Sequence, residues 1–416
     1  MAQKDPQGGR TFRLVPALAS AITPLHPGAG RSPGVVDLPV VRDPLGFPYL
    51  PGSEVKGALK TLLFHKRGCI VERGQDNPCS GGEKKRSDSS GGGDCARICC
   101  LLGGEKGEGV EGASALSVQD FYPVMVPASS IRHGYALVTS PLLLRRALTY
   151  LKAASGQGAA KDGFVGRLIW LIHELLSKSR GLEAANVQAI QLALDVGGNG
   201  SGGEGGGQQQ GQGENQGESL DILAGISIKY IEDKILIDNE MCMKLASVLG
   251  GLNPLYFPEG DEGGGGGQDG QDGGGDCGKL ADLPRVYIVG DPIAKLVFEK
   301  SLIRYTRIAL KRSTKTVVEG ALWTEEYIPW GTLFIGAFLE TLWRNRYCRK
   351  ARKEGSGAGS GFDPTRELRD LLAAEGEDDF FFSLAVGGKE SIGKGLVNIY
   401  VLASKNSQEG ASNGGS

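Results

Sequence analysis

No run of this 416-residue sequence approaches the roughly 18 apolar residues that a membrane-spanning helix needs. The opening MAQKDPQGGRTFRL also lacks the apolar stretch of a secretory signal. Both absences point to a soluble, cytoplasmic protein with no membrane partner. Net charge nearly vanishes: 46 Lys and Arg against 48 Asp and Glu leave −2. The total therefore carries no mark of a polyanion binder. It hides an uneven distribution, because many acids lie in glycine-rich segments while basic residues cluster elsewhere. Paired C-x-x-C motifs are missing, which excludes a regular zinc ribbon.

Glycine is abundant, at 67 residues, and it is clustered. Segments 197–217 and 260–278 are low-complexity and too polar to order themselves. They are expected to be disordered insertions, leaving a packed core of about 300 residues. Five of the eight cysteines fall between Cys69 and Cys100. In a cytosolic chain such clustering favours metal or redox chemistry, although hyperthermophile proteins hold disulfides there too. Cys69, Cys79, Cys95 and Cys99 (or Cys100), with His65 nearby, make a candidate zinc site of irregular C-x9-C-x15-C-x3-C spacing. Buried or redox-linked cysteines are the alternative.

Helical and strand periodicities alternate in small units, which predicts an α+β fold with split βαβ units rather than a doubly wound sheet. Strands are predicted over 10–22, 113–126 and 135–138, with Pro16 marking the first as an edge or a bulge. Helices are predicted over 54–67, capped by Ser53, from Pro141, and over 164–179, with Trp170 and His173 as core. Residues 226–237 read as a hairpin. A helix over 292–298 is followed by strands over 302–310 and 314–323, joined by a basic turn. A strand over 332–341, a helix over 364–375 and strands over 380–386 and 396–403 complete the pattern.

The loop GGKESIGKGLV, from Gly387 to Val397, satisfies G-x-x-x-x-G-K. A nucleotide-binding P-loop would need Ser or Thr at position 395 and a helix after it. Gly395 stands there, and LVNIYVLA reads as a strand. Both departures disfavour an NTPase. Two readings stay open: a tight hairpin, or a phosphate cradle of successive amides from Gly387, Gly388 and onward to Gly395, with Lys389 and Lys394.

The stretch GVVDLPVVRDPLGFPYLPGSEVKGALK, Gly34 to Lys60, sets Asp37 inside an apolar run. Asp37 is either a turn residue or an acid facing a groove. Asp43 precedes Pro44 and reads as a turn. At the following helix start, Ser53, Lys56 and Lys60 could grip a phosphate, with the two lysines on one face.

Three blocks, TPLHPGAGRSPGVVDLPVVRD running into GFPYLPGSEVKGALK, GALWTEEYIPWGTLF and GGKESIGKGLV, occur in this order around ASALSVQD and YALVTSPLLLRR. In this they resemble the RAMP superfamily of CRISPR proteins, and within it the repeated backbone subunit of type III-B effector complexes. The blocks cover about half the chain and exclude the insertions and the cysteine cluster. The resemblance implies a ferredoxin-like, RRM-like core over 10–416, with a Cys-rich lid insertion over 65–112 and a thumb hairpin over 300–330. It implies copies stacked along a guide RNA beside other subunits of the complex, and target RNA cut with the help of magnesium or manganese. Asp37 matches the acid used for cleavage, and the same carboxylate is the expected ligand of that ion. His26, Glu325 and Tyr327 match further positions near the active groove. Strand alternation places Glu325 and Tyr327 on one face and Glu326 on the other. Arg304, Arg307 and Lys311 are expected in the thumb, on RNA. A second basic cluster spans 344–353. The related type III-A subunit and a non-catalytic RNA-binding scaffold are the competing readings.

Overall fold

The structure is a computed structural model. It describes residues 12–32, 34–69, 92–103, 114–155, 163–180, 182, 188–196, 219–253, 285–341, 363–374 and 379–403. Cys79, the two glycine-rich insertions and the 344–353 cluster lie outside these residues.

Four antiparallel strands frame the site. β1 (Phe12–Ala21) lies between β11 (Leu333–Thr341) and β13 (Leu396–Val401), and β11 also pairs with β3 (Tyr122–Ser130). Numbered along the chain, these four run in the spatial order 4-1-3-2. β1 is buried on both faces. Val15, Ala17, Ala19 and Ala21 enter one apolar cluster and Leu18 the other, as a period of two requires. α1 (Gly52–Lys66) follows β1, and α7 (Pro364–Leu372) follows β11; both pack on the first cluster with α2 (Gly92–Leu102) and α6 (Asp291–Ser301). β12 (Phe380–Ala385) pairs with β13 at the sheet's end, and β2 (Leu116–Val118) pairs with β11.

The sheet extends beyond β3 through β4 (Gly134–Thr139), β8 (Val286–Val289), β5 (Ala189–Val196), β7 (Ile226–Ile237) and β6 (Ser219–Leu223). A pairing of Ser130 with Leu223 brings β6 back to β3, so these six strands close a ring. Its outer face carries α3 (Pro141–Ser155), α4 (Phe164–Ser179) and α5 (Asn239–Leu252). Leu144, Ala147, Leu148 and Leu151 meet Leu168, Leu171, Ile172 and Leu175 there, each set at helical spacing. The architecture is thus α+β, with one large sheet and seven α-helices among the described residues.

Several local expectations need correction. Pro16 sits in an interior strand, not at an edge. Its carbonyl takes the Leu402 N–H at 2.9 Å, so its nitrogen faces β13, whose ladder starts only at Ala17. No N–H is required at that point. Residues 226–237 are one long strand; the hairpin turn lies before them, at Ala224 and Gly225, both with positive φ. Ser53 does not cap α1. The helix starts at Gly52, whose N–H donates to Asp120 Oδ1 at 2.8 Å, so the cap comes from a distant carboxylate. A Cβ on Gly52 would come within 2.4 Å of the Val118 carbonyl, which is why glycine opens this helix. Trp170 is 44% exposed and His173 also faces solvent, so neither belongs to the core.

Candidate active groove

Three distant segments meet beside the β1 end of the sheet: the loop after β1, the inner end of a projecting hairpin, and the glycine loop. The hairpin is β9 (Ile303–Leu310) with β10 (Val317–Tyr327), a two-stranded sheet of its own. Its tip, Lys311 to Lys315, is exposed and carries Lys311, Arg312 and Lys315. Lys315 adopts positive φ to close the turn.

The loop after β1 is sewn onto β10. Leu25 bridges Ile328, and Leu38 pairs in parallel with Glu325. Leu38 N–H donates to the Thr324 carbonyl at 3.1 Å, and Glu326 N–H donates to the Leu38 carbonyl at 3.0 Å. Asp37 is therefore held just outside the strand. Its side chain is exposed, and its Oδ2 accepts the Thr324 N–H at 2.7 Å.

Glu325 is 1% exposed. Lys389 Nζ at 2.5 Å and Trp323 Nε1 at 2.7 Å donate to its Oε1; Arg307 Nε at 3.1 Å and the Tyr327 hydroxyl donate to its Oε2. Burial alone would raise this carboxyl. The hydrogen bonds from Lys389, Trp323 and Tyr327 outweigh that and hold it down at about 2. Burial, then the bond given to Glu325, pushes the Tyr327 hydroxyl up to about 12. Glu325 and Tyr327 do share a face, as alternation predicts. Both side chains are interior in this structure and are bonded to each other and to Lys389, Trp323 and Arg307.

His26 is also interior, at 6% exposed. Its Nδ1 donates to the Glu326 carbonyl at 2.7 Å, and its ring packs 5.3 Å from that of Tyr327. Nε2 faces Gly28, where a Cβ would come within 3.2 Å. The imidazole ties the loop after β1 to β10 through this bond.

The glycine loop is the connection of the β12–β13 hairpin. Gly388 N–H donates to the His26 carbonyl at 3.0 Å and Gly395 N–H to the Pro24 carbonyl at 3.1 Å, while Ile392, Gly393 and Lys394 donate within the loop. These five amides are consumed inside the protein. Gly387 has φ +83°, and a Cβ there would lie 2.6 Å from the His26 carbonyl. Glycine is required for close approach to the Asp37 loop. Lys389 reaches Glu325, and Lys394 Nζ lies 5.2 Å over the Tyr305 ring.

Other expected contacts fall elsewhere. Lys56 Nζ donates to Ser114 Oγ at 3.0 Å, and Lys60 sits over the Phe64 ring. Ser53 is exposed on the first turn of α1. Asp43 is a turn residue: its Oδ1 accepts the Leu45 and Phe47 N–H groups, both at 2.9 Å, and Arg146 lies 2.8 Å from Oδ2. Cys69 and Cys95 form a disulfide that joins α1 to α2, and Cys99 and Cys100 are disulfide-bonded as well. Their sulfurs are thus engaged in S–S bonds, which overturns the zinc set of Cys69, Cys79, Cys95 and Cys99. Among the described residues no group of three or more His, Cys, Asp or Glu is placed to hold a metal ion.

The model of the RAMP superfamily matches residues 18–398. The chain belongs to that superfamily. It is 26% identical to the CRISPR system CMR subunit Cmr4 of Saccharolobus solfataricus, over 92% of this chain and 95% of that protein. It is 24% identical to the CRISPR system Cmr endoribonuclease Cmr4 of Pyrococcus furiosus, over 91% and 92% of the two. Its fold is similar to a chain of the type III-B Cmr-beta complex in the apo state, with a TM-score of 0.56 at 22% identity, covering 94% of this chain and 97% of that one.

Proposed function

We propose that this chain is the repeated backbone subunit of a type III-B RNA-guided complex and cleaves target RNA within the assembly. The observation that carries this reading is Asp37. It is an exposed carboxylate on a loop pinned to the hairpin, while Glu325 and Glu326 beside it are buried and matched by cations. The full-length likeness to two relatives named Cmr4, one of them named an endoribonuclease, supports the assignment.

In this reading the core is ferredoxin-like, a view supported by the 4-1-3-2 strand order with α1 and α7 on one face. Guide RNA, target RNA, further copies of this chain and the other subunits of the complex are its partners, and the cytoplasm is its place of work. The β9–β10 hairpin is the thumb. Its exposed Ile308, Leu310 and Leu322 suit a wedge between bases, and Lys311, Arg312 and Lys315 suit phosphate contact. Specificity resides in base pairing, so no side chain here encodes it.

Cleavage follows from the chemistry of RNA itself. The splayed nucleotide's 2′-OH attacks the adjacent phosphorus, the bond to the 5′ oxygen breaks, and a cyclic phosphate and a 5′-OH result. Asp37 takes the 2′-OH proton on Oδ1, the oxygen not held by Thr324, and the leaving oxygen is protonated by water. In the metal-assisted form of the step Asp37 would instead hold a divalent ion such as magnesium, together with substrate phosphate oxygens. When bound it supplies charge stabilisation at the phosphate.

The test is Asp37→Ala in the assembled complex. Guide and target binding are expected to persist, and target cutting to fall by at least about a thousandfold. Cutting at the parent rate would leave only an RNA-binding scaffold.

A further inference from the structure

Glu326 lies on the opposite face of β10 from the expected site residues, yet it touches the Asp37 loop at four points. Its main-chain N–H donates to the Leu38 carbonyl at 3.0 Å. Its carbonyl accepts from His26 Nδ1 at 2.7 Å. Its Oε2 accepts the Val40 N–H at 3.3 Å and lies 2.9 Å from Arg42 Nη2. On the other side, Oε1 accepts from Arg304 Nε at 3.2 Å and Nη2 at 3.0 Å. Glu299 closes the square, 3.0 Å from Arg42 and 2.5 Å from Arg304. The carboxylate is 1% exposed, so it cannot reach a bound strand.

We propose that Glu326 is a positioning residue for Asp37, binding the loop that carries Asp37 to the base of the thumb. The chain of contacts is continuous. Asp37 hangs on Thr324, Leu38 on Thr324 and Glu326, Val40 and Arg42 on the Glu326 carboxylate, and Arg304 returns from that carboxylate to β9. Oε1 faces the thumb and Oε2 faces the loop, so one side chain sets their relative placement. Both oxygens must be acceptors, because every group around them is a donor. A glutamine would present its NH2 either to Arg304 or to Arg42 and Val40, and one side of the link would be lost. An ångström of slack at Asp37 is enough to cost about a hundredfold in rate.

The inference rests on Asp37 acting in cleavage, and the two fall separately. The reconstituted complex with guide RNA is assayed for single-turnover cutting at saturating target, for target affinity and for its thermal midpoint. Glu326→Gln is expected to slow cutting by about tenfold to a hundredfold, with affinity within about twofold and the midpoint near that of the parent. Glu326→Asp, which keeps two acceptors, is expected to recover most of the rate. Arg42→Gln, which removes the charged contact on the loop side and leaves Glu326 with the Val40 N–H and Arg304, should give the same split between rate and affinity in weaker form. If Glu326→Gln fails to assemble, the aspartate and Arg42 variants decide. Parent rates in these variants beside an inactive Asp37→Ala would overturn the proposal, as would equal losses of rate and affinity. Parent rates in Asp37→Ala would instead overturn the cleavage reading.

Discussion

Glu325 accepts four hydrogen bonds, and two of the donors are cations. Its carboxyl drops from 4.5 to about 2 on folding. The folded state therefore prefers the ionised form. The resulting stability is fully present above pH 4.5 and is lost as pH falls from 4.5 towards 2. A drop of this size corresponds to about 3 kcal/mol at most. Glu325→Gln leaves Lys389 and Arg307, both partly solvated, without their counter-charge. It is expected to destabilise the subunit by about 2 kcal/mol at neutral pH. Denaturant titration at pH 7 and pH 3 checks this: the gap between parent and variant should narrow at the lower pH. A gap of the same size at both values would remove the ion pairs from the account. Asp37 and Glu325 also show how much one residue's role can be read early. An acid between valine and leucine was conspicuous in the sequence. That Glu325 is a buried support became visible only once Lys389 and Arg307 were placed around it.

Among the elements, α3 and α4 were legible because each writes its own boundaries. Pro141 opens α3, and the apolar stripe of α4 runs from Leu168 to Leu175 at helical spacing. α5 carries an equally local signal. Asp238 caps it by accepting the Met241 N–H at 2.7 Å, and Met241, Cys242, Leu245, Val248 and Leu252 line its buried face. At the α1–α2 pair the sequence leaves two readings open. Clustered cysteines suit a metal or a disulfide equally, and only the packing of α2 against the end of α1 decides. The Cys69–Cys95 bond closes a loop with a sequence separation of 26. In the chain-entropy account that is worth about 3–4 kcal/mol. A Cys69→Ser, Cys95→Ser double variant is expected to lose up to that amount in denaturant titration under oxidising conditions, without losing the fold of the sheet. A loss below about 0.5 kcal/mol would mean that α2 is held by its apolar face alone.

At the scale of the whole molecule, the groove is built from contacts that no periodicity announces. Asp37 meets Thr324, His26 meets Glu326 and Lys389 meets Glu325, each across tens to hundreds of residues. The order of the motifs suggested a common site, but which side chains face outward depends on how the loop after β1 lies against β10. The hairpin that supplies β10 is joined to the body only at its inner end. Thr324 through Tyr327 carry the contacts to the loop and the glycine turn, whereas Ile308, Leu310, Val317 and Leu322 are exposed. Its outer half therefore contributes little to the core. Replacing residues 309–321 by Asn-Gly would join Ile308 to Leu322, which already face each other in the ladder. The shortened subunit is expected to melt within about 3 °C of the parent, since little apolar surface in the core is altered. It should enter the complex and bind guide RNA, and on the proposed function its target cutting should fall by at least about tenfold, because the proposed wedge is gone while Asp37 keeps its place. Undiminished cutting would make the groove alone sufficient and relieve the hairpin of that role. A large fall in the midpoint would show instead that the outer hairpin belongs to the fold.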